Sequence, residues 1–325
     1  MKTLILGAGI SGLVAARELE KAGHDVTLVD KGRGIGGRMA TRRFADATFD
    51  HGAQFFTVRA PEFRALVDDW IEKGVAKEWF EGFPSPQNRK PHDHHPRFCG
   101  TKGMTGIAKH LAQGLKVHLG EEIERLELKN GIWSAFSQSG ASFSGDELIL
   151  TAPVPQSLAL LKTAGVALPD EAQNTLETLR YEPCIGVLAI LDAPSALPPE
   201  GVLYVEGEVI WWLADNAIKG VSARPNAITI HSTGDWARAH YGDSDEEIIR
   251  ALTHEAAPFL GLGANVEGAQ VRRWRFSKPE NPLQIGHLRV EDLNLSFAGD
   301  IFQGAKIEGA VLSGLSSARA LMQTV

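Results

Sequence analysis

The sequence has few cysteines, few tyrosines, no long apolar run and no excess of positive charge. Two of its 325 residues, Cys99 and Cys184, are cysteines, so at most one disulfide can form. Reduced thiols in a cytoplasmic protein are therefore the default expectation. No apolar stretch reaches the roughly 18 residues that a membrane-spanning helix needs, so no membrane span is predicted. The net charge of −7 argues against a nucleic-acid surface and does not favour binding to an anionic membrane.

The length and composition are typical of a globular protein with more than one domain. Hydrophobic residues make up 43% of the chain and charged residues 22%. A chain of 325 residues is long enough for two interleaved domains, each with its own core. The short apolar stretch at residues 4–6 is interpreted as a strand and not as a signal peptide, because cleavage would remove the glycine motif that begins at residue 7.

The most informative segment is the glycine motif GAGISG at residues 7–12, between a predicted strand and a predicted helix. A second apolar run ends at Asp30, which completes a βαβ unit typical of a dinucleotide site. Gly7 permits the tight turn, Gly9 lets the backbone approach a pyrophosphate, and Gly12 lets the helix pack close to the strand. The helix N-terminus offers unpaired N–H groups to the phosphates. Asp30 is placed to accept hydrogen bonds from ribose hydroxyls.

A second glycine cluster, at residues 32–37, follows directly after this acid. NAD binding does not need such a cluster. It resembles the segment that follows the acid in FAD-binding domains of the glutathione reductase and amine oxidase type. In that group it brings backbone N–H groups and an arginine to the pyrophosphate side of FAD. The two glycine segments together favour FAD over NAD. Some flavin oxidases carry a covalent flavin link on a cysteine near the C-terminus. Neither cysteine of this chain lies there, so the FAD is expected to be noncovalent.

The order of predicted elements indicates a cofactor domain that is interrupted by a substrate domain. The predicted helices are at residues 61–74, 103–114, 171–179, 246–260 and 307–322, with a polar loop at 83–97. After the two strands of the N-terminal βαβ unit, at residues 4–6 and 26–29, further strands are predicted at residues 117–119, 123–128, 131–136, 147–153, 184–191, 201–205, 209–214, 227–232, 271–276 and 295–300.

The predicted fold class is α/β, a Rossmann-like βαβ domain interleaved with a mixed, mostly antiparallel α+β domain. The FAD-binding domain is expected to be discontinuous and to comprise residues 1–57, 103–153 and 291–325. The substrate domain is expected to comprise residues 58–102 and 154–290.

The C-terminal segment also carries a family resemblance. The sequence FAGD at residues 297–300, followed by Gly309 and a long predicted helix, resembles the C-terminal FAD motif of amine oxidase-like flavoproteins. Within that superfamily the chain resembles the renalase family, particularly the short bacterial renalase-like proteins. The resemblance covers essentially the whole chain, and the segments that carry it are GGRMATR (36–42), DHGAQFF (50–56), TAPVPQ (151–156) and Gly299-Asp300.

This resemblance implies an activity. Renalases bind FAD and oxidise dihydronicotinamide isomers in which the hydride is on ring C2 or C6. The hydride passes to flavin N5, NAD(P)+ is released, and O2 takes the electrons and becomes hydrogen peroxide. The expected partners are thus a small dihydronicotinamide dinucleotide, 2- or 6-dihydro-NAD(P), and O2. The preferred isomer, the choice between NAD and NADP forms, and the oligomeric state stay open.

The resemblance further assigns residues to the cofactor, from the ADP half at the N-terminal motif to the flavin ring and ribityl chain. Ala53, Gln54 and Phe55 are expected beneath the isoalloxazine ring. The full set of expected FAD-binding residues is Gly7, Gly9, Ile10, Ser11, Gly12, Asp30, Lys31, Gly37, Arg38, Met39, Ala53, Gln54, Phe55, Ile123, Thr151, Ala152, Gly299, Asp300, Glu308, Gly309 and Ala310.

Hydride transfer from a dihydropyridine needs stacking and orientation and no proton acceptor, so no essential catalytic side chain is expected. The candidate substrate-pocket residues are Gln54, Trp211, Trp212, His231 and Trp274. For each aromatic residue and the histidine, a place in the core is the alternative interpretation. One arginine of the segment RRWR at residues 272–275 could meet a substrate phosphate, although an exposed strand face explains these arginines equally well.

Two other functions compete with this interpretation. One is an amine oxidase or a desaturase of the same fold. Amine oxidases commonly surround the flavin with a tyrosine-rich aromatic cage, part of which comes from the C-terminal motif. This chain has three tyrosines, and its C-terminal motif offers Phe302 and no tyrosine, which counts against amine oxidation. The other is a binding protein without redox chemistry, such as the Rab escort and GDP-dissociation inhibitor proteins, against which the intact glycine motif argues. The segment HDHH at residues 92–95 has no second ligand cluster, so no metal site is predicted.

Overall fold

A computed structural model describes residues 1–82 and 94–323. These residues form eighteen strands and nine α-helices. The strands are β1 (Lys2–Leu6), β2 (Asp25–Asp30), β3 (Thr41–Phe44), β4 (Ala47–Asp50), β5 (Ala76–Glu81), β6 (Pro96–Gly100), β7 (Val117–Leu119), β8 (Ile123–Lys129), β9 (Ile132–Ser137), β10 (Ser142–Gly145), β11 (Glu147–Leu150), β12 (Tyr181–Leu191), β13 (Val202–Tyr204), β14 (Ile210–Asp215), β15 (Ala227–Ser232), β16 (Val266–Pro279), β17 (Leu288–Val290) and β18 (Leu295–Phe297). The helices are α1 (Ile10–Lys21), α2 (Pro61–Glu72), α3 (Met104–Ala112), α4 (Val154–Leu161), α5 (Asp170–Thr178), α6 (Gly234–Ala239), α7 (Asp245–Leu260), α8 (Asp300–Gln303) and α9 (Ile307–Gln323).

The chain divides into two compact units. The first unit comprises Met1–Gly37, Ala108–Arg180 and Pro279–Val325, and the second comprises Arg38–Ile107 and Tyr181–Lys278. The predicted domain boundaries differ from these limits at four places. Residues 38–57 and 103–107 were predicted in the FAD-binding domain and lie in the second unit, and residues 154–180 and 279–290 were predicted in the substrate domain and lie in the first.

The first unit is built on a six-stranded sheet with the order β17-β18-β11-β1-β2-β7. Strand β1 pairs in parallel with both β2 and β11, and β17 joins the edge antiparallel to β18. The central strands are almost wholly buried, as parallel strands are when both faces of the sheet are covered. This arrangement confirms the predicted Rossmann-like βαβ domain. Because β1, β2 and β11 are parallel, their carboxyl ends lie together at one end of the sheet.

A smaller antiparallel sheet, β10-β9-β8, also belongs to the first unit. The predicted turn between β8 and β9 is confirmed, since Asn130 and Gly131 both have positive φ angles, of 52° and 76°. Two such residues in succession form the hairpin turn whose twist matches that of the flanking strands.

The second unit contains a five-stranded sheet with the order β13-β14-β15-β12-β16. Strands β13, β14, β15 and β12 pair antiparallel, which confirms the predicted antiparallel character of this part. Helix α7 begins at a capping box formed by Ser244 and Glu247, and packs Ile248 and Leu252 into the core of the sheet.

Several elements differ from those predicted. The hairpin of β3 and β4, the strands β5, β10 and β17 and the helices α4, α6 and α8 were not predicted, and β6 begins inside the predicted polar loop. The strand predicted at residues 295–300 ends at Phe297, and Asp300 begins α8 instead of ending the strand. Residues 83–93 of that loop lie outside the described residues. The two cysteines are free and buried. Among the helices of residues 1–82 and 94–323, none is both long and apolar enough to span a membrane.

Candidate active site

The glycine motif of the first unit forms the turn between β1 and α1. Gly7 has φ +116°, and a Cβ atom on it would lie 2.2 Å from Thr151 Oγ1. A Cβ on Gly12 would lie 2.2 Å from the carbonyl oxygen of Gly7, so only glycine lets the helix approach the strand this closely. By contrast, a Cβ on Gly9 would meet no described atom within 4 Å. The open side of the turn is therefore at Gly9.

Helix α1 begins at this turn without a cap. Its N-cap residue Gly9 has no side chain to accept a hydrogen bond, and its first turn contains no acidic residue. The buried hydroxyl of Ser11 has no hydrogen-bond partner among the described residues. The first-turn N–H groups and this hydroxyl can thus serve an anion, which the helix dipole favours at this end.

Asp30, at the end of β2, connects the two glycine segments. Its carboxylate accepts hydrogen bonds from the backbone N–H groups of Ala8 and Gly32, each at 2.6 Å. The amide of Gly36 donates to the carbonyl of Ala8 at 2.9 Å. The second glycine cluster therefore folds back over the first, while Lys31 beside it is exposed.

The C-terminal motif lies against the same turn. Gly299 has φ +151° and donates its N–H to Ser313 Oγ at 2.9 Å. A Cβ on Gly314, in α9, would lie 2.3 Å from the carbonyl oxygen of Ser11, so α9 packs directly on the start of α1. The first unit thus holds these residues of the expected FAD set: Gly7, Gly9, Ile10, Ser11, Gly12, Asp30, Lys31, Gly37, Ile123, Thr151, Ala152, Gly299, Asp300, Glu308, Gly309 and Ala310.

The remaining expected FAD residues belong to the second unit: Arg38, Met39, Ala53, Gln54 and Phe55. Ala53 donates its N–H to the carbonyl of Arg38 at 2.8 Å. A Cβ on Gly52, the residue before Ala53, would lie 2.0 Å from the carbonyl oxygen of Arg38, so glycine is required there. Gln54 Nε2 donates to the carbonyl of Asp50 at 2.7 Å, and its buried Oε1 has no partner among the described residues.

A buried ion pair, which the sequence analysis missed, fixes this segment. Lys219 Nζ lies 2.7 Å from Asp50 Oδ2, and neither side chain has any exposed surface. Lys219 also donates to the carbonyl of Gln54 at 2.6 Å, and Asp50 Oδ1 accepts from the amide of Met104 at 2.8 Å. No local pattern reveals such a pair, because 169 residues separate its members.

The aromatic candidates for the substrate pocket occupy different environments. Trp212 is fully buried and packs with Phe80 and Val202, so it is a core residue. Trp211 is half-buried, with its ring 6.1 Å from that of His231. Trp274 is also half-buried and stacks on the ring of His51 at 5.2 Å. Among the predicted aromatics, Trp211 and Trp274 are the ones that offer accessible surface.

The possibility of a metal site finds no support in the described ranges. Within residues 1–82 and 94–323, no group of three histidine, cysteine or acidic side chains could hold a metal ion. His94 is exposed and contacts Glu81 at 3.3 Å. His92 and Asp93 lie outside the described residues.

Comparison with known proteins gives the family. Residues 5–70 match the NAD(P)-binding Rossmann-like domain, and residues 78–322 match the flavin containing amine oxidoreductases. The chain belongs to the flavin containing amine oxidoreductase family. Renalase of Mus musculus is 28% identical over 345 residues, which cover 100% of this chain and 99% of the mouse protein. This flavoenzyme is therefore a renalase-like member of the amine oxidase superfamily.

Solved structures share the fold. Cyclohexylamine oxidase from Brevibacterium oxydans IH-35A has a TM-score of 0.73 at 14% identity, with 99% of each chain covered. A fatty acid isomerase from P. acnes has a TM-score of 0.70 at 12% identity, with 99% of this chain and 98% of the isomerase covered. At these identities the likeness shows the fold alone, which an oxidase and an isomerase both use.

FAD is the cofactor of this oxidoreductase family, and the first unit fits it. The open side of the turn at Gly9, the uncapped start of α1 and the unpartnered Ser11 hydroxyl provide what a pyrophosphate needs. Asp30 retains unused lone pairs for ribose hydroxyls after accepting from two backbone amides.

Burial keeps two histidines of this flavoenzyme neutral. It lowers the pKa of His51 from 6.5 to about 3, with further lowering by the charges of Arg272, His231 and Arg42. Burial also lowers the pKa of His231 to about 4, against the opposing effect of its hydrogen bond to the carbonyl of His51. Both imidazoles are therefore uncharged at neutral pH.

Replacing His231 with glutamine should reduce the acid sensitivity of folding. The unfolded imidazole titrates near 6.5 and the folded one near 4, so below pH 6.5 only the unfolded state takes the proton. Its contribution to stability is present above pH 6.5 and is lost as the pH falls towards 4, by about 2 kcal/mol at pH 5. Denaturant unfolding at pH 7 and pH 5 measures the loss in each protein. An equal loss in wild type and His231→Gln would contradict the assignment.

Proposed function

We propose that this chain is an FAD-dependent oxidase of dihydronicotinamide isomers, 2- or 6-dihydro-NAD(P), and that it forms NAD(P)+ and hydrogen peroxide in the cytoplasm. The observation that carries the proposal is the similarity to renalase over the full length of both chains. When bound, FAD supplies a two-electron acceptor that O2 can reoxidise. The residues that would hold it are those of the expected FAD set, with Gly9, Ser11 and Asp30 at the pyrophosphate and ribose.

The side chains of the second unit suit a donor that releases a hydride. Such a donor needs an aromatic surface for stacking and no base, because no proton leaves with the hydride. Trp274 and His51 form a stacked pair, and the low pKa of His51 keeps its imidazole neutral. Half-buried Trp211 offers a second aromatic surface. These features support a planar pyridine ring as the substrate group.

Amine oxidation is the second candidate, since the family and one of the structural neighbours carry amine oxidation in their names. One position of the chain argues against it. Phe302, which follows the FAGD segment of the C-terminal motif, is only 1% exposed and thus presents no ring face to a ligand. The proposal therefore favours dihydronicotinamide over amines.

Anaerobic mixing of the yellow, FAD-loaded protein with candidate donors tests the proposal. The 2- or 6-dihydro isomers should bleach the flavin absorbance rapidly. Ordinary NADH should be about 100-fold slower, because its hydride is on a different ring carbon and is displaced from the acceptor. Rapid bleaching by an amine such as cyclohexylamine, and none by the isomers, would overturn the proposal.

A further inference from the structure

Strand β16 of the second unit separates its arginines onto two faces. Alternation along the strand places Gln270, Arg272 and Trp274 on one face, and Arg273 and Arg275 on the other. Arg273 is fully engaged, with an ion pair to Asp245 at 2.5 Å and hydrogen bonds to the carbonyls of Asp243 and Tyr241.

The last arginine of this segment also has a structural role. The guanidinium of Arg275 lies 5.4 Å from the ring centroid of Tyr241. This cation–π contact lies on the same face as the contacts of Arg273. The arginines of this face are therefore explained by contacts within the protein.

The face of Arg272 is different, because it brings two guanidinium groups together on one neutral amide. Arg272 Nη2 and Arg42 Nε both donate to one oxygen, Gln270 Oε1, at 2.5 and 2.9 Å. Within residues 1–82 and 94–323, no carboxylate forms an ion pair with either guanidinium. The buried Nε of Arg272 also has no hydrogen-bond partner there. Burial lowers the pKa of Arg272, and the charge of Arg42 lowers it further, against the opposing effect of the charge of Asp245.

An aromatic pair continues the same face. Trp274 donates its indole N–H to the carbonyl of His51 at 2.9 Å and stacks on the imidazole. The buried Nδ1 of His51 has no partner among the described residues. Gly52 follows directly, and a Cβ on it would lie 3.4 Å from the Trp274 ring. This face therefore adjoins the segment of residues 53–55 that the family resemblance assigns to the flavin ring.

We propose that Arg42 and Arg272 bind the phosphate group nearest the nicotinamide of the dinucleotide substrate, beside the His51–Trp274 pair; this assignment rests on the proposed function. A phosphate would supply the negative charge that the two guanidinium groups lack, and guanidinium forks match its oxygens in bidentate geometry. The chain has a net charge of −7, so acidic side chains outnumber basic ones, and this pair of neighbouring cations does not reflect a general excess of positive charge. The substrate class is then a nucleotide and not a phosphate-free riboside.

Truncated donors test the assignment in the FAD-loaded protein. The rate constants for anaerobic flavin reduction are compared for 6-dihydro-NAD, the 6-dihydronicotinamide mononucleotide and the 6-dihydronicotinamide riboside. In Arg272→Gln and in Arg42→Gln, the ratio of the dinucleotide rate to the riboside rate should fall about 10- to 100-fold, and so should the mononucleotide ratio. Arg42 is exposed, so its replacement should not disturb folding. The matched control Arg275→Gln should keep both ratios at the wild-type value.

A fall in all three rates by the same factor, or unchanged ratios, would overturn the assignment. A mononucleotide ratio that does not fall would also overturn it, because the mononucleotide retains the phosphate in question.

Calorimetric titration with inorganic pyrophosphate separates this assignment from the proposed function. The FAD-loaded wild type and Arg275→Gln should bind pyrophosphate alike, and Arg272→Gln should bind it about 10-fold more weakly. Equal binding by wild type and Arg272→Gln, or none by wild type, would overturn the anion site. If pyrophosphate binds as expected and no dihydronicotinamide reduces the flavin, the proposed function fails and the anion site stands. If the isomers reduce the flavin and the ratios do not change, the function stands and the anion site fails.

Discussion

The Gly9→Ala protein is expected to fold like the wild type and to bind FAD about 10- to 100-fold more weakly. A Cβ at this position meets no described atom within 4 Å, and the φ angle of −74° suits alanine, so nothing inside the protein resists the methyl group. The only expected cost to folding is a poorer N-cap for α1, below about 1 kcal/mol. The methyl group projects instead into the space that a pyrophosphate would enter. FAD affinity and the melting temperature of the purified protein measure the two effects separately.

Gly12→Ala, in contrast to Gly9→Ala, should lower the stability of the fold. Its Cβ would lie 2.2 Å from the carbonyl oxygen of Gly7, a backbone atom that cannot move without shifting the turn. We expect a loss of about 1–3 kcal/mol in the free energy of unfolding. Gly242→Ala is the control, because this glycine also has a negative φ angle and open space around its Cβ position. Its stability and its FAD affinity should equal those of the wild type. Wild-type FAD affinity in Gly9→Ala would show that the cofactor does not approach this turn.

Lys219→Met should destabilise the protein by about 3–5 kcal/mol, because it leaves the buried carboxylate of Asp50 without its cation. For a chain of 325 residues this corresponds to a melting temperature lower by about 4–7 °C. The effect should extend to the cofactor spectrum, since Lys219 also holds the carbonyl of Gln54, in the segment proposed beneath the flavin ring. Thermal unfolding and the visible flavin spectrum are the two measurements.

The double variant Lys219→Met with Asp50→Asn distinguishes a buried charge from simple loss of packing. With neither charge present, its stability should exceed that of Lys219→Met. The exposed pair of Lys73 and Asp69 provides the control, with side chains 52% and 45% exposed, and Lys73→Met should change the stability by less than about 0.5 kcal/mol. A double variant as unstable as the sum of the two single variants would contradict the account.

The cofactor-binding half of the fold was predictable because its signals are local. The strand, turn, helix and acid of the βαβ unit lie within the first thirty residues, and each position has a steric or electrostatic reason. The turn at Asn130-Gly131 was predictable for the same reason, since few other residues accept two successive positive φ angles.

The second unit was harder to predict because its site depends on distant contacts. The hairpin of β3 and β4 begins with Thr-Arg-Arg, which lacks the apolar alternation of a strand. Arg42 meets Gln270 across 228 residues, so the pairing of Arg42 with Arg272 has no local signature. The sequence offered both Trp211 and Trp212 as pocket candidates, and the packing of the sheet decides that Trp212 is the buried one.

The products of a single turnover test the central claim most directly. Oxidation and rearrangement of the hydride within the ring give different products from 6-dihydro-NAD, namely NAD+ in the first case and ordinary NADH in the second. The account predicts that each molecule of 6-dihydro-NAD consumed by the FAD-loaded protein in air yields one NAD+ and one hydrogen peroxide, and that no NADH forms. Formation of NADH without consumption of O2, or no reaction with either dihydro isomer while an amine is oxidised, would contradict it.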